Sequence, residues 1–323
     1  MMPFHVDLDI GTSGVTCVHT SFESRGERCA GTLLLPAGRA RPPVIVMAHG
    51  FGAPRAAGLL AFAERFVAEG YAAYVFDYRN FGDSDGEPRH WVSPRRHLQD
   101  WSAAVAHVRS LSQIDAARIV LWGTSFSGGH VIRTAAFDRE IRAVVAQVPH
   151  VSGLVSLMRT PIGLSLRMTL AAMRDIVGSV FGKPHYSPIV GQPGELAALT
   201  GDDASHGYVR LLPAGMPWDN RMLSRVFLEV PLYSPIRHAR RVSAPTLIVA
   251  GRRDTITPAH AARRAAQRMR NGEFHLVDGN HFQMHLHDEH AFATNIAIQI
   301  DFLRRHLGVE LKAATETDPQ AHS

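Results

Sequence analysis

The stretch Arg118-Ile119-Val120-Leu121-Trp122-Gly123-Thr124-Ser125-Phe126-Ser127-Gly128-Gly129-His130 constrains the chain more than any other. Ile119 to Trp122 is a continuous apolar run, as expected of a strand covered on both faces. Gly123 to Ser127 then falls where a strand turns sharply into a helix. In such an elbow a serine occupies a strained turn, and its hydroxyl projects above the sheet. Small residues are needed two positions either side of it, because strand and helix pass close together. Gly123 and Ser127 flank Ser125 in this way, although Ser127 stands where a glycine is usual. A second register, with Ser127 between Ser125 and Gly129, places the hydroxyl two residues deeper into the helix, so the strand–turn–helix context favours Ser125. Taken alone, a glycine-rich turn with a serine helix cap explains the stretch equally well.

The surrounding chain decides between these readings. Val15 to Ser24 and Arg28 to Leu35 are β-rich segments joined by Ser24-Arg25-Gly26-Glu27, an N-terminal hairpin. Buried strands are predicted at Val44–Ala48, Ala72–Phe76, Ala143–Gln147, Pro245–Ala250 and Phe274–Val277. Helical segments at about 56–69, 94–111 and 288–306 alternate with them, and another begins near Thr257-Pro258 with threonine as cap. This alternation predicts an α/β fold: a mostly parallel twisted sheet with helices on both faces. The period is lost over 150–238, read as an inserted helical lid. The core then comprises 1–149 and 239–308, and 309–323 is expected to be a flexible polar tail.

In open parallel sheets, functional groups gather at the carboxyl ends of strands. Asp254 follows the strand ending at Ala250, and His281 follows the one ending at Val277. A serine hydroxyl is a weak nucleophile, needing a base within hydrogen-bond reach and a third group to orient that base. Ser125, Asp254 and His281 supply that set, in the chain order of one of the three well-known serine arrangements. Asp254 alone reads as a turn carboxylate, and His281 alone as one of 19 histidines; three matching strand ends are harder to obtain by chance. Asp278 is a weaker rival acid, too close in sequence to reach the far side of His281. Oxyanion donors are expected from the Phe126 amide, just after the nucleophile, and from the Phe51 amide in the loop His49-Gly50-Phe51-Gly52.

These motifs, with Asp77-Tyr78-Arg79 and Gly82-Asp83-Ser84-Asp85-Gly86, together resemble the α/β-hydrolase superfamily. Within it the chain is similar to the bacterial dienelactone-hydrolase and acyl-peptidase-like branch, and to fungal thiohydrolases and transferases that handle polyketide acyl groups. The resemblance spans about 15–307 and is weakest over the lid. It implies a serine hydrolase acting on a carboxylic ester or thioester. Ser125 attacks an acyl carbonyl, His281 is the base, Asp254 holds the imidazole, and the Phe51 and Phe126 amides hold the oxyanion, with no metal or cofactor. An acyltransferase on the same residues is the alternative; a peptidase or a non-catalytic binding protein is less favoured.

Composition sets the remaining bounds. The 323 residues are 46% hydrophobic and 20% charged, an ordinary globular balance. The net charge of +5 is spread over scattered arginines rather than a basic stripe, so nucleic acid is not an expected partner. Cys17 and Cys29 fit no metal or redox spacing. No signal segment or membrane span is read, which implies a cytoplasmic protein acting on a small-molecule acyl substrate. The hairpin offers a free edge to a second copy, leaving a homodimer open. The histidine-rich run from His281 to His290 lacks a zinc-protease arrangement, so no metal is expected. The loop from Asp83 to His90 reads as a solvated turn rather than a border of the site. Met158, Met173, Trp218 and Phe227 are candidates for the acyl pocket, with Met168, Met216 and Met222 sharing that reading; helix packing is the competing one.

Overall fold

The computed structural model describes residues 15–200 and 204–308. The expected tail, 309–323, and the N-terminal segment before Val15 lie outside the described residues. Ten strands and nine α-helices are present among the described residues. In chain order they begin with β1 (Val15–Ser24), β2 (Glu27–Pro36), β3 (Val44–Ala48), α1 (Leu59–Ala68), β4 (Ala72–Phe76), α2 (Pro94–Ser110), β5 (Ile119–Thr124), α3 (Phe126–Ala135) and β6 (Ala143–Gln147). Next come α4 (Gly153–Arg159), α5 (Ile162–Val180), β7 (Tyr186–Ser187), α6 (Ala204–Arg210), β8 (Met222–Leu223) and α7 (Val226–Glu229). The chain finishes with β9 (Thr246–Gly251), α8 (Ala259–Gln267), β10 (Gly272–Val277) and α9 (His290–Leu307).

Eight strands form one sheet in the order β1-β2-β4-β3-β5-β6-β9-β10. β1 and β2 are the antiparallel hairpin, and β2 pairs antiparallel with β4; every pairing from β4 to β10 is parallel. Residues of β5 alternate between the two faces as strand geometry requires. Ile119 and Leu121 join the core formed with Trp101 and Val105 of α2 and Val131 of α3. Val120 and Trp122 join the opposite core, with Phe62 and Phe66 of α1 and Phe292 of α9. The chain moves from β3 one way to β4 and then back to β5, so the order reverses between β3 and β5. A crevice opens at the carboxyl ends of strands where the order reverses.

Three expectations need correction. The segment 150–238 is not purely helical, since β7 and β8 pair as a small antiparallel sheet. Both strands are two residues long, below what a periodicity argument can detect. Helix α8 starts at Ala259 with Pro258 in the capping position, so Thr257 is not its cap. The loop from Asp83 to His90 is only in part a solvated turn: Asp85 and Glu87 are exposed, but the loop is tied to the sheet. Ser84 is 2% exposed and accepts from the Ala30 amide while donating to the Asp77 carbonyl, and Asp83 pairs with Arg55 at 2.7 Å. Among the described residues no helix is long and apolar enough to cross a membrane.

Candidate active site

Ser125 sits between β5 and α3 with φ 55° and ψ −117°, a region that costs a non-glycine residue strain. The neighbouring strand holds it there: the Ser125 amide donates to the Gln147 carbonyl at 2.9 Å, and the His150 amide to the Ser125 carbonyl at 2.8 Å. Gly123 is obligatory, because a Cβ there would lie 2.4 Å from the Ser127 carbonyl oxygen. Gly50 is constrained less severely, since its Cβ would sit 3.1 Å from the Ser125 Cβ. The loop after β3 therefore passes directly beside the elbow. Val148, at the end of the adjacent β6, is a second strained residue, with φ 37°. Strained backbone of this kind gathers at functional sites.

His281 and Asp254 arrive from the loops after β10 and β9. The His281 Nδ1 lies 2.7 Å from the Asp254 Oδ2, and its Nε2 lies 3.1 Å from the Ser125 Oγ. A carboxylate oxygen can only accept, so the proton of a neutral imidazole sits on Nδ1. Nε2 is left with a lone pair facing the serine hydroxyl. Asp254 is 9% exposed. Its Oδ1 accepts from the Ile256 amide at 2.9 Å and the Thr257 amide at 2.7 Å, and its Oδ2 also accepts from the Thr257 hydroxyl at 2.7 Å. Burial works to raise this carboxyl's pKa, but the charge and hydrogen bond of His281 and the two Thr257 donors outweigh it, leaving the group below the usual carboxylate range.

Thr257 went unrecognised in the sequence because Thr-Pro before a helix reads as a cap. Its hydroxyl also lies 2.9 Å from the Val148 carbonyl, tying the Asp254 loop to β6. His285 supports His281 from behind. Its Nδ1 lies 2.8 Å from the His281 carbonyl, which only accepts, so Nδ1 carries the proton. Its Nε2 then accepts from the Thr124 hydroxyl at 2.5 Å. Burial holds His285 neutral, with its pKa lowered to about 3. Only its spacing of four residues from His281 hinted at this role.

The Phe126 amide heads α3, where helical N–H groups lack intrahelical acceptors. The rings of Phe51 and Phe126 meet edge to face at 5.2 Å, and the Phe51 carbonyl accepts from the Tyr208 hydroxyl at 2.8 Å. Arg55 pins the same loop. Its guanidinium pairs with the buried Asp77, whose Oδ1 also takes the Arg55 amide at 2.6 Å.

The rival residues lie elsewhere. Ser127 is buried and accepts from the Tyr78 hydroxyl at 3.0 Å. Asp278 faces solvent and pairs with Arg253 at 3.3 Å. The four pocket candidates divide. Trp218 stacks on Tyr208 at 4.7 Å, which joins it to the Phe51 loop, and Phe227 packs against the core as a half-buried side chain. Met158 and Met173 are 78% and 48% exposed, outside the buried core. Contact spacing along an apolar helix cannot tell which of two apolar faces turns inward. Among the described residues no cluster of three or more histidine, cysteine, aspartate or glutamate side chains is arranged to hold a metal ion.

Comparison with known proteins agrees with this architecture. The quorum-quenching protein AidA of Acinetobacter baumannii is 41% identical over 291 residues, covering 90% of this chain and 95% of that protein. The polyketide transferase af380 of Aspergillus fumigatus is 29% identical, covering 86% and 96%. The crystal structure of the α/β hydrolase GrgF from Penicillium superposes with a TM-score of 0.77 at 24% identity, over 91% of this chain and 99% of that one. The alpha/beta hydrolase family model matches residues 45–295, a span that holds every strand from β4 to β10 and all three residues linked through His281. The chain belongs to the α/β hydrolase family.

Proposed function

We propose that the protein is a serine hydrolase that cleaves a carboxylic ester or thioester through an acyl-serine intermediate. The observation that carries this reading is the single imidazole bonded at 3.1 Å to a strained serine and at 2.7 Å to a buried carboxylate. Ser125 attacks the acyl carbonyl as its proton passes to Nε2 of His281. Asp254 fixes the tautomer that makes this transfer feasible and stabilises the imidazolium that forms. The amides of Phe51 and Phe126 receive the negative oxygen, each contributing about 3–4 kcal/mol in the transition state. His281 then gives its proton to the departing alkoxide or thiolate. A water deprotonated by His281 attacks the acyl-serine and releases the acid.

The segment 150–238 acts in this reading as a lid. Tyr208 reaches from it to the Phe51 carbonyl, and the Arg159 guanidinium donates to the Thr255 carbonyl at 3.1 Å, next to Asp254. Similarity to a quorum-quenching protein makes ester- or thioester-bearing signalling molecules the first substrates to try. Similarity to a polyketide transferase over 86% of the chain supports acyl transfer as the second reading, with an alcohol or amine replacing the water.

The test is labelling with a fluorophosphonate and turnover of p-nitrophenyl acetate. Both should vanish in Ser125→Ala and persist in Ser127→Ala. Labelling that survives in Ser125→Ala would sink the assignment. Wild-type labelling without hydrolysis, rescued by an added alcohol, would favour the transferase.

A further inference from the structure

Of the fourteen large hydrophobic side chains that stand exposed among the described residues, eleven fall between Leu154 and Phe181. Exposed apolar side chains scattered singly need no explanation, but a set concentrated in two consecutive helices marks a contact surface. Helix α5 is apolar on two opposite faces. One faces its own protein through Ala171 and Ala172, with Asp175 fully buried among them. Asp175 accepts from the Arg225 guanidinium at 2.7 and 2.9 Å and from the His185 and Arg225 amides at 3.0 and 2.9 Å, which anchors the helix. The other face carries Ile162, Leu166, Leu170, Met173, Val177 and Phe181, exposed by 89%, 62%, 62%, 48%, 54% and 74%. An apolar helix face turned to solvent calls for a partner, and nothing among the described residues covers this one.

The order of those side chains identifies what covers it. Their spacings are 4, 4, 3, 4 and 4 residues, the same in either direction along the helix. Turned end for end about a point between Ala171 and Ala172, the stripe falls on itself. Leu170 meets Met173, Leu166 meets Val177, and Ile162 meets Phe181. In the same overlay Arg167 lies opposite Ile176 and Arg174 opposite Thr169, so no arginine faces an arginine. A two-fold interface requires this kind of self-complementarity, in which residue i contacts j and j contacts i. At roughly 60–120 Å² of apolar surface per large side chain, the six of the stripe, exposed by 48–89%, offer roughly 230–470 Å² per copy. That is the apolar centre of a standard interface, to which each partner gives ~800 Å² with its polar rim included.

We propose that α5 is the seam of a two-fold homodimer, packed antiparallel against the α5 of a second copy with Leu166 of each chain on Val177 of the other. None of these residues belongs to the proposed catalytic machinery, so this reading and the hydrolase reading stand or fall separately.

Sedimentation equilibrium of the full chain tests it. The wild type should sediment at twice the 35.4 kDa chain mass. Leu170→Glu, beside the axis, should weaken the dimer by at least ~30-fold, the scale of a central interface side chain. Leu166→Glu alone and Val177→Lys alone should do the same. The double variant L166E/V177K should recover the dimer, because each glutamate then faces a lysine of the other copy. Circular dichroism confirms that the variants fold. A monomeric wild type at the highest soluble concentration overturns the proposal, and so does a dimer indifferent to Leu170→Glu, which points to another face such as the β1 edge. A double variant no better than the singles refutes the antiparallel register. A monomer that binds anionic vesicles through this face refutes the second copy as the partner.

Discussion

Replacing Asp254 with asparagine changes one atom and reverses the logic of the site. The carboxylate accepts four hydrogen bonds: two backbone amides on Oδ1, and the His281 ring and the Thr257 hydroxyl on Oδ2. The backbone amides cannot rotate, so the asparagine oxygen takes the Oδ1 place and its NH2 group takes the other. Thr257 adapts, because its proton can turn wholly to the Val148 carbonyl 2.9 Å away. His281 cannot adapt without cost. Facing a donor, Nδ1 must give up its proton, which moves to Nε2 opposite the Ser125 Oγ at 3.1 Å. The imidazole then donates where it should accept. A tautomer reversal of this kind is worth about 10⁴ in kcat, or ~5 kcal/mol of barrier. Stability should fall by only about 1–2 kcal/mol, the difference between charge-assisted and neutral hydrogen bonds. The burst of p-nitrophenolate and the fluorophosphonate labelling rate report the first effect, and urea denaturation the second. Ring ¹⁵N resonances of His281 report the tautomer directly. A folded Asp254→Asn protein that labels within ~10-fold of wild type would refute the claim that Asp254 sets this tautomer.

Three further outcomes follow from the same geometry. Gly123→Ala drives a Cβ to 2.4 Å from a backbone carbonyl; it should cost ~3 kcal/mol or more in urea denaturation and slow labelling of Ser125 by displacing the elbow. Arg55→Met strips the buried Asp77 of its cation. Removing one partner of a buried pair costs about 3–5 kcal/mol, and the lower end is expected because the Arg55 and Asp83 amides still donate to the carboxylate; calorimetry reads it, with turnover falling as the Phe51 loop loosens. Acid should destabilise the fold from below about pH 6.5 rather than only near pH 4. Burial lowers the pKa of His49 and His150 to about 4 and that of His285 to about 3, against 6.5 when unfolded. The unfolded chain binds these protons first, so stability is full above pH 6.5 and is lost as pH falls toward the folded values, on the order of 2 kcal/mol per histidine by pH 5. Denaturation midpoints that do not move between pH 7.5 and pH 5 would contradict this.

Much of the site was legible because strand ends are legible. Apolar runs such as Ile119–Trp122 locate the strands, and the parallel sheet fixes which of their ends face the crevice. That places the serine, the aspartate and the histidine in one neighbourhood before any distance is known. Interactions made by a side chain against expectation were not legible. Thr257 sits in a sequence typical of a helix start, yet its hydroxyl turns away from the helix to Asp254. Tyr208 comes from a segment without strand periodicity, and nothing local says that it reaches the Phe51 carbonyl. The exposure of Met173 was not legible for a related reason. Helix α5 is apolar on both sides, so its pattern fixes two stripes without saying which one the protein itself covers.

The polar cluster beneath the elbow has a consequence for the timing of synthesis. Gln147, beside Ser125, has its side-chain oxygen satisfied by Asn295 at 2.6 Å and Gln299 at 2.9 Å, and Gln299 also takes the indole N–H of Trp122 at 2.7 Å. Both partners sit on α9, made long after β5 and β6. His281 itself follows Ser125 by 156 residues. At roughly 5–20 residues per second, a ribosome that has finished the serine spends about eight to thirty seconds before the imidazole exists. Through that interval the strand carrying the elbow has neither its histidine neighbour nor the amides that satisfy its buried polar groups. The helix that completes the floor of the sheet is thus made after the loop that brings the imidazole, and a growing chain displays a serine with no hydrogen-bond partner for its hydroxyl from that loop.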